Sequence, residues 1–137
     1  MVNFYRMRRL IRDTVKLQWK VEQERAKATK ITAVITGMPR GTDNHSKVED
    51  GAVRIADIVA AYSEVMGELE SMRTELDPMI SSLDNADDRA AMRLRYINGY
   101  SADDIGDAIN RTERSIYYYL RRAEDQLARM FPEKVSK

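Results

Sequence analysis

The chain has 137 residues, no cysteine and one histidine, and its 23 Lys and Arg nearly balance its 22 Asp and Glu. The lack of cysteine excludes disulfide and thiolate metal sites, and no apolar run approaches the roughly 20 residues of a membrane span. The basic N-terminus lacks the apolar core of a signal peptide. We therefore expect a cytoplasmic protein of one domain or two small ones, with no membrane contact.

Charge is segregated along the chain. Residues 1–30 carry nine basic and three acidic side chains, residues 49–91 carry three and eleven, and residues 92–137 carry nine and seven. This segregation fits opposed helices of unlike charge or a basic face that binds DNA, and it fits ordinary solvated helix surfaces equally well.

Two long helices are predicted in the first 83 residues. Apolar residues recur every three or four positions from about Asn3 to about Thr32. Glycine, proline and polar residues then break the period over residues 33–47, which predicts a loop. Ser46 and Glu49 have the spacing of a capping box, so the second helix is expected to begin there.

The second predicted helix carries an apolar stripe from Val48 to Leu83 that is too wide for a single partner. We expect the first helix to cover one side as an antiparallel hairpin over residues 1–83. The other side is left for the C-terminal unit or for a second subunit. Pro78 is expected to kink or end this helix near Thr74–Asp77, because proline lacks the backbone donor.

Residues 84–131 predict three short helices, so the expected fold is all-α. Asp84-Asn85, Ser101 and Thr112 are expected N-caps, and Gly99 ends the first of the three. The second and third are joined by a tight turn at Asn110-Arg111, which is the spacing of a helix-turn-helix. Residues 132–137 are expected to form a disordered tail.

Helical period divides the three C-terminal helices into a core and an outward face. The predicted core residues are Met92, Tyr96, Ile97, Ile105, Ala108, Ile109, Ile116, Tyr119, Leu120, Ala123 and Leu127. The predicted DNA-binding residues are Thr112, Glu113, Arg114, Ser115, Tyr117, Tyr118, Arg121 and Arg122.

Each outward side chain has an expected role if the last helix enters the major groove. Arg114 is the base-reading candidate, since its fork matches two acceptors of guanine. Tyr117 and Tyr118 suit thymine methyls or phosphates, and Arg121 and Arg122 suit phosphates. Arg93 and Arg95 are weaker phosphate candidates. The alternative is that these arginines are solvated or paired with Glu113 or Glu124.

Three motifs in this segment together resemble region 4 of bacterial sigma factors, which reads the −35 promoter element. They are the run LRYINGYS at residues 94–101, DIGDAI at 104–109, and the helix from Thr112 through Leu127. The resemblance implies that Glu113, Arg114, Tyr117, Tyr118 and Arg121 contact DNA. Gly106 departs from the usual alanine and is expected to weaken its helix modestly. Nothing resembles the sigma region that melts DNA, so we expect no independent sigma activity.

The run Gly37-Met38-Pro39-Arg40-Gly41, in the predicted loop between the two helices of the hairpin, is similar to a loop of the RinA/ArpU-like late transcription regulators. These are phage-encoded proteins of Gram-positive bacteria. The resemblance implies a phage late-gene activator in the bacterial host cytoplasm that reads promoter DNA with the helix 112–130. Double-stranded DNA, RNA polymerase and a second subunit are the implied partners. The loop itself has two interpretations, an anion or DNA contact and a plain hairpin connection.

Two other functions stay open at this point. A small terminase subunit, which packages DNA, also joins a helix-turn-helix to an oligomerising helical region. A helical protein-interaction module with a vestigial helix-turn-helix is the third hypothesis. An enzyme is the least expected class, and we predict no metal or cofactor, because the adjacent acids Asp87-Asp88 and Asp103-Asp104 point about 100° apart on a helix.

Overall fold

The computed structural model describes residues 1–37 and 42–136, and the side chains among them outside residues 30–48. This part of the chain is helical and contains no β-strand, which confirms the all-α class. No helix in the described ranges has the length and apolar content needed to cross a membrane. The elements are α1 (Phe4–Gly37), α2 (Thr42–Ile80), α3 (Ala86–Met92), a π-helical segment (Arg93–Ile97), α4 (Ala102–Ile109) and α5 (Glu113–Met130).

The two long helices extend into the segment predicted to be a loop. α1 continues to Gly37 rather than ending near Thr32, and α2 begins at Thr42. Ser46 therefore lies inside α2 and is not its N-cap. Residues 33–36 contain no glycine or proline, so no helix breaker stops α1 before Gly37. The predictions for the Gly37–Gly41 loop fall on residues 38–41, which lie outside the described residues.

α2 also passes through Pro78 and ends at Ile80, so the expected end near Thr74–Asp77 is one turn too early. A proline in the last turn removes a single helical hydrogen bond and leaves few later bonds to disrupt. The amides of Ser82 and Leu83 donate to the carbonyls of Met79 and Ile80 at 3.0 Å each and close the helix end.

The chain divides into two compact units, which cut across the predicted hairpin. Unit 1 contains Met1–Ile11 and Glu68–Lys137, and unit 2 contains Arg12–Gly67. Residues 1–11 and 68–83 thus belong to the same unit as the predicted C-terminal domain. Unit 2 holds the remaining, longer parts of α1 and α2.

The core of unit 1 is built from α5 and the helices around it. Ala108 was predicted to lie in this core, but it is exposed on α4. Ile97, Ile109 and Tyr119 are only half-buried. The predicted core residues confirmed as buried are Met92, Tyr96, Ile105, Ile116, Leu120, Ala123 and Leu127. The additional core residues include Met7, Leu10, Leu69, Leu76, Ile80 and Leu83.

The end of the described chain packs against its beginning, which corrects the expectation of a disordered tail from residue 132. The Val2 amide donates to the Lys134 carbonyl at 2.7 Å, and the Ser136 amide donates to the Val2 carbonyl at 2.7 Å. Both Val2 and Val135 are buried. The tail gains apolar and backbone contacts that local sequence pattern does not reveal.

Candidate nucleic-acid interface

The ends of α4 and α5 are fixed by the predicted caps. The Ser101 side chain accepts a hydrogen bond from the Asp104 amide at 3.2 Å, and the Thr112 side chain accepts one from the Ser115 amide at 3.1 Å. Between the helices, Asn110 adopts the left-handed conformation with φ of 57°. Asparagine tolerates this conformation better than most residues, so the tight turn follows from the local sequence.

The turn depends on a close approach at Gly106. A Cβ atom at this buried position would lie 2.6 Å from the carbonyl oxygen of Arg111. Gly106 was expected only to weaken its helix. It instead allows the backbone of the turn that leads into α5 to approach α4 closely.

α5 has two opposed faces. Ile116, Leu120, Ala123 and Leu127 are buried in unit 1 at helical spacing. The residues at the spacing of the opposite face are Arg114, Tyr117, Tyr118 and Arg121, and all four are exposed. We call these four residues the α5 outer face. Glu113 is also exposed, at the beginning of the helix.

The two arginines of the α5 outer face are available to a ligand. Within the described ranges, neither Arg114 nor Arg121 has a hydrogen-bond or ion-pair partner. The tyrosines beside them, Tyr117 and Tyr118, are 59% and 60% exposed. A row of cationic and aromatic side chains on one helix face can engage phosphates and base edges.

Glu124, one of the two acids considered as a partner for these arginines, faces the other way. Its carboxylate accepts hydrogen bonds from the Tyr96 hydroxyl and from Arg8 Nη1, the latter at 3.0 Å. Arg8 Nη1 also lies 2.8 Å from the Tyr96 hydroxyl. Burial raises the pKa of the Glu124 carboxyl, although the hydrogen bond from Tyr96 and the charge of Arg8 lower it. This network joins α1, the π-helical segment and α5.

Arg122 is not part of the α5 outer face, although it was a predicted phosphate contact. Its Nε and Nη2 atoms donate to the two carboxylate oxygens of Asp88 at 2.9 and 2.7 Å. Asp88 is only 1% exposed. The hydrogen bond to Asp88 raises the pKa of the Arg122 guanidinium, which also lies 5.0 Å from the centre of the Tyr118 ring. Arg122 therefore ties α5 to α3.

The weaker phosphate candidates are engaged as well. Arg93 donates to the Asp77 carboxylate and, at 2.8 Å, to the Ser81 hydroxyl. Arg95 donates to the Tyr100 carbonyl at 3.0 Å. Both guanidinium groups therefore have hydrogen-bond partners among the described residues, unlike those of Arg114 and Arg121.

The remaining predicted site residues lie at the beginning of α5. Thr112 is exposed and Ser115 half-buried. The Thr112 hydroxyl donates to the Ser115 hydroxyl at 2.9 Å while it caps the helix. Both residues therefore take part in capping α5, and their DNA contacts stay predictions.

Three exposed acids gather at the beginning of α4. Asp103, Asp104 and Asp107 each offer a carboxylate oxygen within 4.8 Å of the other two. Asp107, one turn after Asp103 and Asp104, was not considered as a member of this group. Asp88, a member of the other acidic pair, is buried and accepts hydrogen bonds from Arg122. Asp103 and Asp104 lie in the first turn of α4, where the helix dipole favours acidic side chains.

The described residues define an all-α protein whose last long helix presents a basic and aromatic face from a buried core. The chain belongs to the family described as a protein of unknown function (DUF1492), which it matches over residues 39–128. The match includes all of α4 and most of α5. No curated protein and no solved structure gives a significant match.

Proposed function

We propose that this protein binds duplex DNA in a sequence-specific manner and regulates transcription, reading promoter DNA with the α5 outer face. The observation that carries the proposal is the pair of exposed, unpartnered arginines beside two exposed tyrosines on a capped helix whose opposite face is buried. A helix held in this way from behind is the reading element of the helix-turn-helix proteins.

The proposal gives each side chain a distinct role. Arg114 lies in the first turn of α5 and reads a base edge, with Glu113 beside it. Arg121 lies two turns later and binds a phosphate, and the tyrosines contact thymine methyls or phosphates. Arg122 supports the helix through Asp88 and is withdrawn from the set of DNA contacts.

The resemblance to sigma region 4 and to the RinA/ArpU-like regulators makes the proposal more specific. It suggests a phage late-gene activator that acts on host RNA polymerase from the bacterial cytoplasm. A single helix-turn-helix is a small DNA-binding unit, and proteins that contain one commonly bind two half-sites as dimers. A polymerase contact and a second copy of the chain are therefore the proposed partners besides DNA.

Selection from a pool of random DNA duplexes at about 0.15 M salt tests the proposal, since non-specific binding is weakened at that ionic strength. We expect one enriched motif. Salt-sensitive binding without an enriched motif would favour a DNA-packaging adaptor. An absence of binding above background would leave the protein-interaction module.

Arg114→Ala tests the base contact within the selected motif. Loss of a bidentate arginine contact is expected to cost about 1–3 kcal/mol of binding free energy and to relax the preference at one base pair. Repeating the selection with the variant measures both effects. An unchanged motif and affinity would show that Arg114 does not read a base.

A further inference from the structure

Unit 2 exposes most of its apolar side chains. In residues 12–29 and 49–67, where side chains are described, Gly51 alone is fully buried. Among the exposed side chains, Val59 of α2 is 44% exposed. Two helices that bury so little of their apolar surface need a further partner to be stable.

α1 and α2 meet along one antiparallel seam within unit 2. Gln18 Nε2 donates to the Tyr62 hydroxyl at 3.3 Å, and Arg54 Nε donates to the Glu24 carboxylate at 3.2 Å. Half-buried apolar residues recur at heptad spacing on both helices. They are Leu17, Val21 and Ala28 of α1 and Ile55, Ile58, Tyr62 and Val65 of α2.

A second heptad stripe of α2 lies beside this seam and has no partner in the described part of unit 2. It carries no charge over fifteen residues, although charged residues are frequent on the rest of the helix. Its members are Ala52, Ala56, Val59, Ser63 and Met66, of which the first four are exposed. Val59 also lines an open groove between the helices, together with Gln18, Val21, Glu22, Arg25 and Tyr62. We call the stripe and this groove the unit 2 groove face.

The charges at the edge of the groove favour a second copy of the chain as the partner. Glu22 and Arg25 lie one turn apart on α1, and neither side chain has an ion-pair partner among the described residues. A twofold axis across the helices would set the two α1 helices antiparallel, with Glu22 of one protomer opposite Arg25 of its partner and the reverse. Such a rim is complementary to itself, as an isologous interface requires.

The small side chains fit the same arrangement. Alanine at positions 52 and 56 leaves room for a second α2 to approach closely, and the stripe buries against its own copy without placing a charge in the interface. A partner of strongly basic or strongly acidic character would find no matching charge on this face.

We propose that the unit 2 groove face is a self-association surface, through which two copies of the chain form an antiparallel four-helix bundle. Two hairpins are sufficient for such a bundle, in which each stripe is covered by its symmetry mate. This inference rests on the proposed function for its partner, a second copy of the chain. Its test is separate, because sedimentation measures self-association without DNA.

Sedimentation of the full chain tests the proposal, with Val59→Glu as the disruptive variant and Ala61→Glu as its matched control. Ala61 is exposed and lies about 200° around α2 from Val59, at about 100° per residue. We expect the unaltered chain and Ala61→Glu to be dimers at micromolar concentration. Val59→Glu should weaken the dimer at least about tenfold, because it buries an unpaired charge.

A charge exchange tests the symmetry of the interface without touching the apolar stripe. Glu22→Arg alone should weaken the dimer about threefold or more, since it opposes like charges at both ends. Adding Arg25→Glu should restore the original affinity. Circular dichroism of each variant checks that helicity is retained, as expected for exposed positions.

Three results would overturn the proposal. One is a chain that stays monomeric up to about 100 μM, because its self-association would then be weaker than that of a usual specific interface. Another is an assembly larger than a dimer, which would require a different surface. The third is a Val59→Glu variant that dimerises as tightly as Ala61→Glu, which would place the interface elsewhere.

Discussion

At the scale of single residues, the carbonyl oxygen of Arg111 lies where a side chain at position 106 would begin. The obstacle is backbone, which cannot rotate away as the end of a flexible side chain can. Gly106 therefore permits the turn between α4 and α5, and its small size positions the α5 outer face.

Gly106→Ala is predicted to lower the free energy of unfolding by about 1–3 kcal/mol, the usual cost of overfilling a packed site. Gly67→Ala is the matched control, because a Cβ there meets nothing within 4 Å. The control should raise stability by about 0.5–1 kcal/mol, as alanine does in a helix interior. Urea unfolding measures both, and a Gly106→Ala variant as stable as the control would contradict the account.

Arg121 and Arg122 are neighbours with opposite expected roles. Arg122→Ala leaves the Asp88 carboxylate buried without its partner, and we expect a loss of about 2–3 kcal/mol of unfolding free energy. The value is lower than for a fully buried pair because the Arg122 side chain is 37% exposed. Arg121→Ala should change stability by less than about 0.5 kcal/mol. Thermal unfolding of both variants tests whether Arg122 is structural and Arg121 is not. Equal stabilities of the two variants would contradict these roles.

At the scale of elements, the hydrogen-bond network of Arg8, Tyr96 and Glu124 joins three helical segments of unit 1. The π-helical segment contributes Tyr96, and its wider turn is marked by the Asn98 amide, which donates to the Arg93 carbonyl at 3.0 Å. Burial also raises the pKa of the Tyr96 phenol well above its ordinary value, so this group stays a neutral hydrogen-bond donor.

The raised pKa of Glu124 predicts a pH dependence of stability. The folded chain holds the proton on this carboxyl more tightly than the unfolded chain does. The stabilising contribution of the protonated Glu124 carboxyl to the free energy of unfolding is therefore fully present below the ordinary pKa of 4.5. It is lost as pH rises through the raised pKa. Glu124→Gln should make the unfolding free energy less dependent on pH above about 4.5.

Urea unfolding at several pH values measures this slope. Glu64→Gln is the control, since Glu64 is exposed and lies away from both ends of its helix. The control should keep the slope of the unaltered chain. A Glu124→Gln variant with that same slope would show that Glu124 does not titrate as its burial requires.

The sequence was sufficient to predict the elements whose ends are set by neighbouring residues. The caps at Asn85, Ser101 and Thr112 and the stop at Gly99 depend on hydrogen bonds and conformations within a few positions. The α5 outer face was predictable for the same reason, because the helical period places Arg114 and Arg121 on the opposite side of the helix from the buried residues.

The features that were missed depend on contacts between distant residues. Asp88 and Arg122 are 34 positions apart, so no local spacing marks them as a pair, and Arg122 resembled any other outward arginine. The docking of Val135 on Val2 joins the two ends of the described chain. Only the folded arrangement distinguishes a structural arginine from one that is available to a ligand.

At the scale of the whole molecule, the two compact units offer different chemistry. Unit 1 presents a basic and aromatic helix face, and unit 2 presents an uncharged stripe with a self-complementary rim. We propose that unit 1 binds DNA and that unit 2 mediates self-association. Variants in one unit should therefore leave the other activity unchanged, provided that binding is compared at equal dimer concentration.

The most direct test of the central claim is the salt dependence of binding to two duplexes, the selected motif and a scrambled one. Arg114→Ala should weaken binding to the selected duplex alone. Arg121→Ala should weaken binding to both and reduce the slope of log affinity against log salt by about one. A chain whose affinity for both duplexes is unaffected by salt and by either substitution would contradict the claim that the α5 outer face binds DNA.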